Sequence, residues 1–218
     1  MIRNRENGVR RLPVTFGRFD VFREDVLGSD SSTRPALPPD FQLAYVGEER
    51  MDDLVSLANR DTPIEDLQMR FMCRNLCLAV LKDQRIIAFS WASFGLFQFE
   101  SYMFPLLENE AYLFDAYTVP EYRGRGLAGV IRRQLHRDLA AMGRARFYSV
   151  TLRNNTSAMS FKHKMDGRVV DHGFYIRLFD RWSLGTRARP HRVRAGAVVP
   201  GCGLCIMHAR GGATPVTR

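Results

Sequence analysis

Six consecutive residues, Arg123-Gly124-Arg125-Gly126-Leu127-Ala128, carry what an anion site requires. The two glycines and the small alanine let backbone N–H groups approach a phosphate closely, and the two arginines add positive charge. Upstream stand the carboxylates Asp115 and Glu110, with Glu108 and Glu100 further back. A carboxylate beside a reacting amine can take its proton. That matters, because an alkylamine of pKa about 10.4 lies some three units from neutral at pH 7, a cost of roughly 4–5 kcal/mol. Downstream, Asn155 and Ser157 can bond the polar part of a ligand or cap a helix that starts there.

A strand, a turn and two helices are needed to hold these groups together. Residues 112–119 are an apolar and aromatic run of strand length, and Pro120 breaks it. Leu127, Val130, Ile131, Leu135, Leu139 and Met142 then recur at helical spacing, with Gly143 as the stop. The new helix aims its unsatisfied N–H groups and the positive end of its dipole at the turn. On a regular strand Leu113, Asp115 and Tyr117 share one face and Glu110, Tyr112 and Phe114 the other, so only one set meets an acceptor unless a bulge intervenes.

The remaining elements follow from periodicity and punctuation. A strand is expected over 41–46, helices over 48–59 and 64–72, and a hairpin with arms 76–81 and 86–93 around Lys82-Asp83-Gln84-Arg85. The aromatics of 94–107 read as core or as a contact in a homodimer, with a ligand pocket as the other reading. A strand over 147–152, a helix from Asn154-Asn155-Thr156-Ser157 through 165 and closing strands over 169–179 complete the order. Residues 1–40 read as an arm and linker, with a short strand within 17–26, and residues 183–218 as a basic, flexible tail rich in Gly, Arg and Pro.

The order strand, Pro-Glu-Tyr, Arg123-x-x-Gly126-x-Ala128, amphipathic helix resembles the acyl-CoA signature of the GNAT superfamily, the CoA-dependent N-acyltransferases. The likeness is strongest over about 110–170. Gly124, Gly126 and Gly129 do spell Gly-x-Gly-x-x-Gly, but no acidic residue follows at the distance a dinucleotide fold requires, and the Gly-Lys-Ser/Thr of a Walker loop is missing. The resemblance implies an α/β fold: a mixed, mostly antiparallel central sheet flanked by helices, in one domain over 41–182. It implies acetyl-CoA, or another acyl-CoA, as co-substrate. By the same resemblance Arg123, Gly124, Arg125, Gly126, Leu127 and Ala128 cradle the pyrophosphate. The backbone of Ala116, Tyr117, Thr118 and Val119 pairs with pantetheine between two splayed strands, and Asn155 and Ser157 add polar contacts. Asp115 falls where family members often carry an acidic residue. It is the first candidate for catalytic base, with Glu110 second, and a purely structural carboxylate is the other reading of Asp115. One departure stands out. Where the family often places a Tyr about seven residues after the asparagine, this chain has Phe161 or Lys162, which leaves water, Lys162, Tyr148 or Tyr175 to protonate the departing thiolate.

Charge and cysteines narrow the classes. The chain of 218 residues carries +9, but residues 1–12 hold +3 and residues 181–218 hold +7, which leaves −1 for residues 13–180. The body therefore has no basic nucleic-acid face. Cys73, Cys77, Cys202 and Cys205 form no secreted disulfide framework, and Cys202 and Cys205 with His191 and His208 are a weak metal pattern, so no metal is expected. Without a signal peptide or a membrane span the expectation is a cytoplasmic protein. The acceptor class expected is the amine of a small molecule. A protein amine, a longer acyl donor and a module that binds acyl-CoA without turnover are the alternatives.

Overall fold

The computed structural model describes residues 14–26, 37–57, 62–178 and 182–188. In chain order the elements are β1 (Val14–Asp25), β2 (Phe41–Val46), α1 (Met51–Val55), α2 (Ile64–Met72), β3 (Leu76–Lys82), β4 (Arg85–Ser93), β5 (Leu96–Phe99), β6 (Tyr102–Pro105), β7 (Glu110–Thr118), α3 (Leu127–Ala141), β8 (Arg146–Leu152), α4 (Thr156–Lys164), β9 (Arg168–Leu178) and β10 (Trp182–Gly185). Eight strands make one sheet in the order β10-β9-β1-β8-β7-β4-β3-β2, and β5 pairs with β6 apart from it. Only β7 and β8 run parallel; every other neighbouring pair in the sheet is antiparallel.

The sheet is covered on both faces, which explains the nearly continuous apolar runs of β3 and β4. On one face α3 sets Leu127, Ile131, Leu135 and Leu139 at intervals of four against Val80, Ala88, Leu113 and Phe147. All four are almost fully buried, each a contribution of about 1.5–3 kcal/mol. Gly143, at φ +81°, ends the helix, and the bonds Gly143 N to Ala140 O (2.9 Å) and Arg144 N to Leu139 O (2.8 Å) close it as a Schellman motif. On the other face Leu54 of α1 and Leu67 and Phe71 of α2 pack on Ala79, Phe89 and Trp91. The aromatics of 94–107 form the β5–β6 hairpin, whose Phe97, Tyr102 and Phe104 are buried against Tyr112 and Tyr148. They are core.

Three expectations change. The segment read as an arm contributes β1, which lies inside the sheet between β8 and β9. Its charged residues obscured the strand pattern, yet they are partnered once folded: Arg153 meets Asp20 at 2.8 Å, and Glu24 anchors a buried cluster described below. The helix expected over 48–59 is a 3-10 turn, Glu48–Arg50, followed by the short α1. In the stretch read as tail, β10 adds a short edge strand to β9. Cys202, Cys205, His191 and His208 lie outside the described residues. Among those described, no group of three or more His, Cys, Asp or Glu could hold a metal, and no helix is long and apolar enough to cross a membrane.

Candidate active site

Strands β7 and β8 share three rungs, Glu110–Arg146, Ala111–Phe147 and Tyr112–Tyr148. Beyond Tyr112 they pair no further. The far edge of β7 stays on β4, from Ala92–Leu113 through Ala88–Thr118 and on to the bond from Val119 N to Ile87 O, while β8 continues along β1 to Leu152. The result is a V between two neighbouring strands. Ala116, Tyr117, Thr118 and Val119 line its open β7 side.

The turn 123–128 stands at the mouth of this opening. Pro120–Tyr122 is a single 3-10 turn, Arg123 returns to extended backbone, and Gly126, at φ +76°, is the N-cap of α3. Gly124 takes φ +78°, and neither glycine has an atom within 4 Å of where a Cβ would stand. Positive φ demands glycine here, and the empty space above both leaves the backbone N–H groups open to a ligand. Arg123 Nε donates to Thr118 O at 3.1 Å, which ties the turn to the end of β7, and the Arg125 guanidinium lies 5.2 Å from the Tyr122 ring centroid. Leu127 is buried, so the turn cannot slide along the sheet.

A bulge decides where Asp115 goes. Trp91 pairs with Phe114 and Phe89 with Tyr117, so Asp115 and Ala116 together oppose Ser90, whose hydroxyl donates to Phe114 O at 3.3 Å. Asp115 adopts φ +48°, a conformation that costs a non-glycine residue about 1 kcal/mol or more. The extra residue breaks the alternation expected from a regular strand. Leu113 packs beneath α3, whereas Tyr117 packs with Phe89 on the α2 side. Asp115 also turns toward α2, where Arg70 Nη1 donates to its Oδ2 at 2.5 Å. The Arg70 guanidinium lies 5.2 Å from the ring centroids of both Trp91 and Phe114. Tyr112 stacks on Phe114 just below, and its hydroxyl is held well above the usual range, by burial first and by Asp115 second. Arg70 was not foreseen. It lies 45 residues before Asp115, and an arginine in an ordinary amphipathic helix carries no local signal.

The other candidates find different surroundings. Glu110 is buried at the closed end of the V, about 16 Å along β7 from Asp115. Its Oε2 accepts from Leu107 N and its Oε1 from the Tyr148 hydroxyl, both at 3.1 Å, so it pins the turn into β7 and does not stand beside Asp115. Asn155 caps α4, its Oδ1 accepting from Ala158 N at 3.0 Å, and Ser157 sits exposed in the first turn of that helix. Both lie across the V from the 123–128 turn, where β8 gives way to α4. Of the two residues at the tyrosine position, Phe161 lies under the Arg132 guanidinium, while Lys162 is buried.

Lys162 belongs to a cluster that joins β1, β8, α3 and α4 around one carboxylate. Glu24 meets Lys162 Nζ at 3.5 Å, Arg132 Nε at 3.7 Å and His136 Nε2 at 3.0 Å, the last outside good hydrogen-bond geometry. Ser149 Oγ donates to it at 3.3 Å. Burial by itself would raise the Glu24 carboxyl, but Arg132, His136 and Lys162 outweigh it and hold the group well below the ordinary carboxylate range. Burial, helped by Arg132 and opposed by Glu24, pushes the Lys162 ammonium down to about 7.

Comparison with known proteins bears on this arrangement. The family model described as FR47-like protein matches residues 105–176, the stretch from β6 to β9 that contains the V, the turn and α4. A structure described as an acetyltransferase from the GNAT family of Novosphingobium aromaticivorans superposes with a TM-score of 0.53 at 19% identity, over 82% of this chain and 68% of its own. The chain has the GNAT fold. A tandem GNAT protein from the clavulanic acid biosynthesis pathway gives a TM-score of 0.59 at 12% identity over 75% of this chain, and a Drosophila protein gives 0.56 at 15% over 76%. The chain spans about half of those two structures, 54% and 52%. No curated protein matches the sequence.

Proposed function

We propose that this GNAT-fold chain is an N-acyltransferase that moves an acyl group, most simply acetyl, from acyl-CoA to the primary amine of a small molecule. The observation that carries the reading is the V between β7 and β8 with an open glycine turn and a helix N-terminus at its mouth. A strand edge that leaves its neighbour after three rungs offers backbone groups to an extended amide-bearing arm, and the turn offers N–H groups to a pyrophosphate. Arg123 to Ala128 then hold the phosphates, Ala116 to Val119 meet pantetheine and the thioester carbonyl, and Asn155 and Ser157 face the donor from α4. In a ternary complex the amine nitrogen attacks the carbonyl carbon, the C–N bond forms and the C–S bond breaks. The ammonium gives up one proton to become the neutral nucleophile and the nitrogen a second as the amide forms, with Asp115 as the base beside it; the thiolate takes one proton up and the other leaves to solvent. Water supplies the proton that the thiolate takes. A thiol of ordinary pKa near 8.5 is a tolerable leaving group.

Thermal unfolding of the full chain with acetyl-CoA, a longer acyl-CoA and ATP tests the donor site. At about 100 times its Kd a ligand adds about 2.7 kcal/mol, or roughly 5–10 °C for a chain of this size. A shift with CoA esters and none with ATP supports the reading, and the ranking of esters identifies the acyl group. No shift with any ester overturns it. Thiol release on adding amines then separates an enzyme from a module that only binds.

A further inference from the structure

We infer that the acceptor is an amino acid or a close relative, a small molecule that carries a carboxylate next to its primary amine, read by the Asp115–Arg70 pair at the β7 bulge. This rests on the acyltransferase reading and names the acceptor that the same site takes.

The pair presents one anion and one cation side by side, and each side chain is about one-fifth exposed, so both are reachable from solvent. A diamine or a polycationic sugar would gain from Asp115 but be repelled by Arg70, and a simple alkylamine would leave the guanidinium uncompensated as it drew Asp115 away. An α-amino acid carries its own two charges one carbon apart. Laid against the pair, it sets its nitrogen on Asp115 and its carboxylate on Arg70 in a closed ring of alternating charge. A guanidinium has five N–H donors in a fixed fork, and Arg70 gives Asp115 a single N–H, so the fork can also take a carboxylate.

The surroundings favour a fixed reader over a loose surface pair. Trp91 and Phe114 each lie 5.2 Å from the guanidinium carbon and hold it over their rings. Asp115 is held on its side by the bulge at φ +48°, and strain of that kind persists only where the surrounding structure imposes it. The pair also sits where the chemistry needs it. Asp115 immediately precedes the 116–119 segment proposed to meet the thioester, so an amine resting on Asp115 points at the carbonyl while Arg70 turns the carboxylate toward α2. The products are an N-acyl amino acid and free CoA.

The test is thiol release from acetyl-CoA by the full chain with matched acceptors: glycine against methylamine and glycinamide, and L-phenylalanine against 2-phenylethylamine. The expected result is a kcat/KM for the amino acids roughly ten- to a hundredfold above that for their decarboxylated or amidated partners. Arg70→Met should erase that preference chiefly through KM while acetyl-CoA still raises the unfolding temperature, and Arg70→Lys should restore part of it. Equal or faster turnover of the amines without a carboxylate by the unaltered chain overturns the inference but leaves acyl transfer standing. No thiol release with any acceptor overturns it as well, and a missing acetyl-CoA shift in the same sample would take the donor-site reading with it. Should Arg70→Met fail to fold, the comparison on the unaltered chain decides alone.

Discussion

Tyr112 faces Tyr148 across the last rung that β7 and β8 share, and from that pair onward the sheet is open. Everything proposed to hold the donor lies on the open side of this rung, with the glycine turn at its mouth. Gly126→Glu places a charged side chain in the empty space above the turn and forces a positive φ on a residue with a Cβ, at a cost of about 1–2 kcal/mol. The expected outcome is a folded protein, slightly less stable, whose unfolding temperature no longer responds to acetyl-CoA. Gly126→Ala carries the same backbone cost without the charge and should keep a measurable part of the response. A full response in the glutamate variant would move the pyrophosphate away from this turn.

Asp115→Asn separates the proton acceptor from the shape of the bulge. Asparagine tolerates the φ of +48° that Asp115 adopts, so the strand should be undisturbed. We expect kcat to fall by about a hundredfold or more, with the acetyl-CoA shift unchanged. Stability should drop modestly, because Arg70 loses its charged partner. An unchanged kcat at saturating amine would return Asp115 to a structural role.

Glu110→Gln should do the opposite. The buried carboxylate holds Leu107 N and the Tyr148 hydroxyl far from the bulge, so its loss weakens the turn into β7 and not the reaction. A fall in stability of about 1–3 kcal/mol with kcat within a fewfold of the parent is expected. Denaturant titration and a thiol assay on the same preparation measure both. A hundredfold loss of kcat without loss of stability would make Glu110 part of the reaction.

The buried cluster around Glu24 makes stability depend on pH through Lys162. Unfolded, this amine keeps its proton up to about its ordinary value of 10.5, whereas in the folded chain it gives the proton up near 7. Between those values the unfolded state binds more protons, so the folded state gains stability as pH rises through that window. Lys162→Met should remove this rise, seen as the difference between the two proteins' unfolding temperatures from pH 7 to pH 10. Glu24 works in the other direction: its depressed carboxyl contributes stability that is lost as pH falls below the ordinary carboxylate range. Glu24→Gln strands Arg132 and Lys162 without their anion, and a loss of about 3–5 kcal/mol is expected. Equal pH profiles for the parent and Lys162→Met would show that the amine is not protonated differently on folding.

The turn, helix and cap proposed to hold the donor were legible in the amino-acid order alone, because their signals are local. Glycines at 124 and 126, Pro120, the fourfold spacing of Leu127, Ile131, Leu135 and Leu139, and Asn155 ahead of α4 each act within a few residues through backbone freedom, helix period or capping. The mixed, mostly antiparallel sheet with flanking helices followed from the same local signals and from their resemblance to the GNAT order, and the structure has it. The arrangement proposed for the acceptor was decided by tertiary structure. A one-residue bulge against Ser90 moved Asp115 to the α2 side, and only the packing of α2 on β4 brought Arg70 to it between Trp91 and Phe114. The same holds for β1, whose charges made it look like an arm until β8 and β9 paired with both its edges and α3 and α4 closed over Glu24. Strand order, bulges and buried charge pairs depend on partners far away along the chain, and no local period records who those partners are.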